Sequence, residues 1–499
     1  MSRSFYAAAS LAALLTVGAS PALALAMTIT PNYDHPTAKV KVNGSGFGAH
    51  ATIDIYFDVT DQLVVTADAN GNFAKHTIRV PADALPGEHW ITASERDNGQ
   101  GVQKLFTAST DWTEFGFDAR NRRNNPWENV VSTGNVGTLD VMWSRKTGGS
   151  IGSSPAVVNG IAYVGSGDDN LYAFDVATGA VLWSVPTGGS VRSSPAIAAG
   201  IAYFGSDDGM VYAVDATTGA SKWTFSVGQL IDSSPAVANG IVYIGSTSGT
   251  LLALDATTGA PVWGAPTGSA IEASPAVTDG TAYAVSDNGA IHAFDAVTGT
   301  QLWSNSTGQS NNSSPTVSGG SVWVVSSTFN NPYILNRYRA ADGDIESSAN
   351  LGGAGGFETV DPTPAAANGI VYVSISGQIM ALRPNGANLT TLWTANLDSD
   401  AIPTAPALAN GVVYVGSGVN GDFFGLDATT GNTLWSGLTD GTFNSSSAAV
   451  SNGAVFVGGD KRLFAFALNG GDNAVYKRKH TQPPSFSRLH PNFHLKPVR

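Results

Sequence analysis

An all-β fold built on a repeated unit follows from three features of this sequence. Tryptophans recur every 40 residues, at Trp143, Trp183, Trp223, Trp263 and Trp303. Near-constant text runs between them, first seen as SSPAVVNGIAYVGSGDDNLYAFDVATGAVLW over 153–183. The third feature is composition: 58 glycines and only 13% charged residues suit short strands joined by tight turns and disfavour disorder or long helical bundles. A unit of this length with several strand-like runs cannot bury its own apolar faces, so it predicts stacked units in a propeller or solenoid.

The units count out as eight. Ser153-Ser154-Pro155-Ala156 opens the first, with counterparts starting at Ser193, Ser233, Ala273 and Ser313. Degenerate openings follow at Thr363-Pro364-Ala365, Ala405-Pro406-Ala407 and Ser446-Ser447-Ala448. Each unit reads as four strands rich in Val, Ile, Tyr, Phe and Trp, punctuated by Asn-Gly or Asp-Gly turns. The eighth unit, ending near Leu468, lacks a Trp strand, and a spare one stands at the front of the array, Leu139–Arg145, carrying Trp143. Pairing that strand with the last unit would close a ring and remove an exposed sheet edge, so an eight-bladed β-propeller is expected over 139–468.

The flanking segments differ. Residues 1–26 carry Arg3, an apolar run and small-residue cleavage sites, which predicts a signal peptide cut near 24–26 and a secreted or periplasmic, soluble protein. Residues 27–109 hold six or seven short strand-like runs between turn clusters, which predicts a small Ig-like β-sandwich. Residues 110–138, with Trp112, Phe115, Phe117 and Trp127 in polar text, are expected to be a connector packing its aromatics on the propeller's flank. The tail over 469–499 has six Lys/Arg and no acid from Lys477 onward and is expected to be disordered. A net charge of −13 disfavours nucleic acid as a partner, and no membrane span is expected. Without cysteine there is no disulfide, thiolate metal site or thioether haem.

The text Ala-x-Asp-x-x-Thr-Gly-x-x-x-Trp occurs at Ala173, Asp175, Thr178, Gly179 and Trp183 and recurs up to Trp223, Trp263 and Trp303. A version with Gly425 for Ala ends at Trp435. Asp caps a turn, Gly supplies positive φ, and the Trp covers the neighbouring unit. This text resembles the tryptophan-docking repeat of pyrroloquinoline-quinone-like (PQQ-like) propellers, with Trp143, Trp183, Trp223, Trp263, Trp303, Trp393 and Trp435 as docking residues. The resemblance implies one of two branches. One comprises quinone-dependent alcohol and sugar dehydrogenases, which pair PQQ with calcium or a lanthanide, a catalytic Asp and Arg side chains. The other comprises non-enzymatic propellers that present loops to partners, including the outer-membrane assembly scaffold.

Specific chemistry is expected where the units differ. One column ahead of the Ser-Ser-Pro text reads Gly152, Arg192, Asp232, Glu272, Asn312, Asp361, Pro403 and Asn444. Its polar members, Arg192, Asp232, Glu272, Asn312, Asp361 and Asn444, are the candidate binding residues at the channel mouth. Asp232, Glu272 and Asn312 offer oxygen ligands for a hard cation; a solvated rim of ion pairs is the plainer reading. Asp168, Asp169, Asp207, Asp208 and Asp287, in the turns between second and third strands, should make the same face acidic. Gly148–Gly152 matches a nucleophile-elbow string but lies in an inter-unit loop, and His292 reads as a packing variant of Tyr172 and Tyr212. No catalytic residue is assigned. The expectation is a monomeric, secreted, non-enzymatic binding or scaffold protein that takes a protein or small ligand on the propeller face, with no cofactor. The alternative is a PQQ- and Ca²⁺-dependent dehydrogenase, and a third reading is cell-surface or carbohydrate adhesion.

Overall fold

A computed structural model describes residues 24–307, 311–328, 331–353, 362–397, 404–417, 421–439 and 446–471. The expected signal sequence and almost all of the expected basic tail lie outside these residues. The regular structure of the described chain is nearly all β, strands joined by turns, and no helix in it is long and apolar enough to cross a membrane.

Eight strands open the chain: β1 (Ala26–Thr30), β2 (Tyr33–Asp34), β3 (Lys39–Ser45), β4 (Thr52–Phe57), β5 (Thr60–Thr66), β6 (Phe73–Arg79), β7 (Gly87–Glu95) and β8 (Gly101–Ala108). They form two sheets, ordered β1-β3-β6 and β2-β8-β7-β4-β5. Alternation along the strands turns Val40, Val42, Ile53, Ile55, Ile91 and Phe106 into the space between the sheets, where all are fully buried.

Eight antiparallel units of four main strands follow; Asn311–Asn312 adds a short fifth strand to the fifth, and Asn124–Asn125 pairs in parallel with the innermost strand of the seventh. Sheet 1 is Ala156–Val158, Ile161–Ser166, Asn170–Asp175 and Val181–Pro186, in that spatial order. The innermost strands of sheets 2 to 8 begin at Ala196, Ala236, Ala276, Thr316, Ala365, Ala407 and Ala449. Each innermost strand neighbours the next, and that of sheet 8 neighbours that of sheet 1, so the circuit is closed. In sheet 8 the fourth strand is Leu139–Lys146, paired antiparallel with Arg462–Leu468 and setting Trp143 opposite Ala465.

Three side-chain devices join the sheets. The indole of Trp223 donates to the Ala256 carbonyl of the next sheet at 2.9 Å and lies against Gly259, whose φ of +72° and contact with the ring both exclude a Cβ. Trp143, Trp183, Trp263, Trp303 and Trp393 repeat the arrangement, and Trp435 donates to Leu139 across the closure. A tyrosine shares the acceptor: Tyr203 Oη donates to the same Ala256 oxygen at 3.0 Å, and Tyr163, Tyr243, Tyr283 and Tyr372 likewise donate to the carbonyl used by the tryptophan of their own sheet. One buried carbonyl thus has both lone pairs used by its neighbour.

The paired serines divide their work. Ser153 Oγ accepts from Gly165 N within its own sheet, whereas Ser154 N donates to Ser194 Oγ of the next sheet at 2.8 Å. The second link continues through Ser234, Ser274, Ser314 and Thr363, and Ser447 N returns to Ser154 Oγ. This chain of buried bonds runs between the innermost strands, with Ala405 at the one position that has no hydroxyl.

Candidate functional site

The described members of the variable column, Gly152, Arg192, Asp232, Glu272 and Asn312, each lie four residues ahead of the innermost strand of their sheet. Arg192 reaches Asp207 of its own sheet (Nη2 to Oδ2, 2.8 Å) and Asp232 of the next (Nε to Oδ1, 3.1 Å). Burial raises the Asp232 carboxyl above the ordinary carboxylate range; Arg192 opposes that rise, while Asp207 and Glu272 add to it. Asp287 is pushed up to about 6, by burial first and by Glu272 second. Arg192, Asp207, Asp232, Glu272 and Asp287 therefore form one electrostatic group spanning sheets 2 to 4, with a single cation among four carboxyls. Asn312 pairs through its backbone with Ser326; Asp361 and Asn444 lie outside the described residues.

The other acidic turn residues serve the loops. Asp168 accepts from Tyr172 Oη and Gly148 N, and Asp208 accepts from Tyr212 Oη at 2.6 Å and Gly188 N at 2.7 Å. Burial and the adjacent carboxylates push both tyrosines up to about 12. The nucleophile-elbow string is thus a loop clamped to Asp168. His292 is buried, bonds Ser286 Oγ at 3.2 Å and has its pKa lowered by burial. Among the described residues, no three His, Cys, Asp or Glu side chains converge as metal ligands.

The connector runs across the innermost strands of all eight sheets, not only along a flank. Val157, Ile197, Val277, Val317, Ala366 and Leu408 donate their amides to the carbonyls of Trp112, Thr113, Ala119, Arg120, Arg122 and Arg123. In sheet 3 the acceptor is a side chain, Glu114 Oε2 to Val237 N at 3.1 Å, and in sheet 8 Asn125 Nδ2 donates to Val450 O at 2.8 Å. Inner edges that would otherwise face a channel are therefore paired. Asn121 Nδ2 adds bonds to the carbonyls of Pro275 and Pro315. Arg123 is fully buried, bonds Pro406 O at 3.0 Å and lies 4.7 Å from the Phe115 ring centroid. Glu114 is buried, and burial pushes it up to about 8, with Asp118 adding to the rise and the Val237 bond opposing it. Sequence reasoning passes over Glu114, Asn121, Arg123 and Asn125. Their only signal is polar text interrupted by aromatics: Trp112 and Phe117 pack edge to face, and Trp127 stacks on His35 of the sandwich at 3.9 Å.

Three known structures share this architecture. A quinohemoprotein alcohol dehydrogenase from Comamonas testosteroni superposes with a TM-score of 0.61 at 16% identity, over 72% of this chain and 81% of its own. A europium-containing methanol dehydrogenase gives 0.59 at 15% identity, over 72% and 98%. BamB from Moraxella catarrhalis gives 0.56 at 19% identity, over 69% and 99%. At these identities the likeness is one of fold: a propeller-like, nearly all-β structure. A search of curated proteins found no significant relative. The family model described as outer membrane protein assembly factor BamB matches residues 128–274, 207–351 and 334–483. With its tryptophans docked sheet to sheet and that model matched along most of its length, the chain belongs to the BamB-type PQQ-like repeat family.

Proposed function

We propose that the protein is an exported, non-enzymatic binding or scaffold protein, made of an immunoglobulin-like sandwich and an eight-bladed PQQ-type propeller whose acidic mouth takes a basic protein segment or small cationic ligand. The observation that carries this reading is the commitment of Arg192. The only cation of the mouth cluster is already shared between Asp207 and Asp232, with Glu272 and Asp287 beside it. Such a cluster favours positive partners. BamB is described as an assembly factor, and a scaffold role would carry that description over to this chain.

A PQQ- and Ca²⁺-dependent alcohol or sugar dehydrogenase is the second reading, favoured by the fold of the two dehydrogenases above. The described residues do not fit that cofactor well. PQQ is a polycarboxylate, and Arg192 has no uncommitted charge to offer it. Of the three proposed metal ligands, Asp232 is bound to that same arginine. Adding PQQ with Ca²⁺ to the purified protein tests both readings. The expected result is no cofactor-dependent absorbance and no dye reduction with alcohols; dye reduction requiring alcohol, PQQ and Ca²⁺ together would establish the dehydrogenase instead.

A further inference from the structure

The eight hairpins that end the innermost strands each place a residue in left-handed or turn backbone just before or at a glycine. The residues are Asn159, Ala199, Asn239, Asp279, Gly319, Asn368, Asn410 and Asn452. Seven are Asn, Asp or Gly, the types that tolerate positive φ; Ala199, at φ +49°, is the exception. Two of the asparagines, on the hairpins of sheets 7 and 8, hold the connector: Asn410 Nδ2 donates to Val131 O, and Asn452 Nδ2 donates to Asp111. Ala199 carries no such side chain, yet its backbone keeps the positive φ that the other seven hairpins share, a conformation unfavourable for alanine.

A cleft of about 330 Å³ opens there, between β2 of the sandwich and the hairpins of sheets 1 and 2. That lies at the small end of the range for small-molecule sites, roughly 300–1,000 Å³. Val158, Ile161, Ile197 and Ala216 supply apolar walls, with Tyr163 among them. Tyr33 and Asp111 form the polar end. Asp111 accepts from Tyr33 Oη, Ser109 Oγ, Asn159 N and Asn452 Nδ2, all neutral donors, which fix its carboxylate without cancelling its charge.

We propose that this cleft is a binding site for a small organic ammonium compound, its apolar body against Ile161 and Ile197 and its cationic head toward Asp111, kept open by alanine at position 199. Charge complementarity chooses the head group, and the apolar walls choose the body. The strained alanine is the cost of leaving the cleft empty, because asparagine there would suit the backbone and occupy the space. The site is separate from the Arg192 mouth and does not depend on the function proposed for it.

Phenethylamine and phenylacetate, of similar shape and opposite charge, serve as probes in calorimetric or ligand-observed NMR titrations of the full protein. The wild type should bind the amine and not the acid. Ala199→Asn should raise the melting temperature and weaken the amine by at least about tenfold, a change of roughly 1.4 kcal/mol in binding. Ala199→Gly, which also suits positive φ but leaves the cleft open, should bind as the wild type does. Equal amine affinity in the wild type and Ala199→Asn, failure of the wild type to bind the amine at millimolar concentration, or preference for the acid would each overturn the proposal.

Discussion

Trp223 shows what a single side chain contributes to the ring. It is buried, packs on Gly259 and satisfies half of the Ala256 carbonyl. Trp223→Ala should cost about 3–5 kcal/mol, the range for large-to-small changes in a core. Chemical denaturation would measure it, and a loss below about 1 kcal/mol would remove the docking role. Glu114 makes a different prediction because its charge is the problem. Its folded-state pKa of about 8 lies above the ordinary 4.5, with Asp118 the one charged group raising it. An acid shifted this way holds its proton more tightly when folded, so stability falls as pH rises from 4.5 to about 8 and the loss is complete above that. Glu114→Gln keeps an oxygen for Val237 N and removes the charge. The variant should melt near the wild-type temperature at pH 5 and above it at pH 8–9; parallel melting curves at all pH values would refute this.

At the scale of elements, the eight junctions are not alike. Ser347 of sheet 5 stands where the other sheets place a docking tryptophan, since its partner Arg337 occupies the alanine position of the frame. Its hydroxyl is buried without a hydrogen-bond partner among the described residues. The receiving turn of sheet 6 has changed as well: a tight hairpin between Gln378–Asn385 and Asn388–Asn396 replaces the Asp-x-x-Thr-Gly turn, and a Cβ at Gly386 would meet open space. Instead the outer strands Ile345–Gly352 and Asn388–Asn396 contact each other, and Arg337 stacks over Trp323 at 5.4 Å. Without the indole and its bond to a neighbouring carbonyl, this junction should open first. Hydrogen exchange should be faster in the inner halves of sheets 5 and 6 than in sheets 2 and 3. Equal protection around the ring would show that the replacement contacts are as strong as the docked tryptophan.

For the whole molecule, the connector makes sandwich and ring interdependent. Besides its bonds to the eight innermost strands, Asn129 Nδ2 donates to Ala84 O of the sandwich at 2.9 Å, and Asp111 holds Tyr33. A chain beginning at residue 126 would expose the inner edges that 112–125 now pair. It should aggregate or associate through them, whereas a protein beginning at residue 24 should not. Size-exclusion chromatography and circular dichroism would compare the two; a monomeric, equally stable shorter form would show that the connector is dispensable.

The sequence alone determined the strands, the turns and the repeated unit. Alternation of apolar residues, Asn-Gly turns and a 40-residue tryptophan spacing are local signals, and each unit states them again. It also singled out Arg192, Asp232 and Glu272, because a column that varies within a constant frame is visible without coordinates. What those side chains do was decided by tertiary structure. Asp207 and Asp208 are adjacent in the same turn, yet one pairs with Arg192 and the other clamps Gly188 and Tyr212. The path of the connector was equally illegible. Its bonds join residues up to 342 positions apart, as between Thr110 and Asn452, and most of those to the innermost strands use backbone carbonyls, which every residue carries and no sequence pattern marks. Ala199 lies between these cases: the break in its column is plain in the sequence, but only the fold sets that missing side chain beside Asp111 and the sandwich, because the two segments meet through packing rather than along the chain.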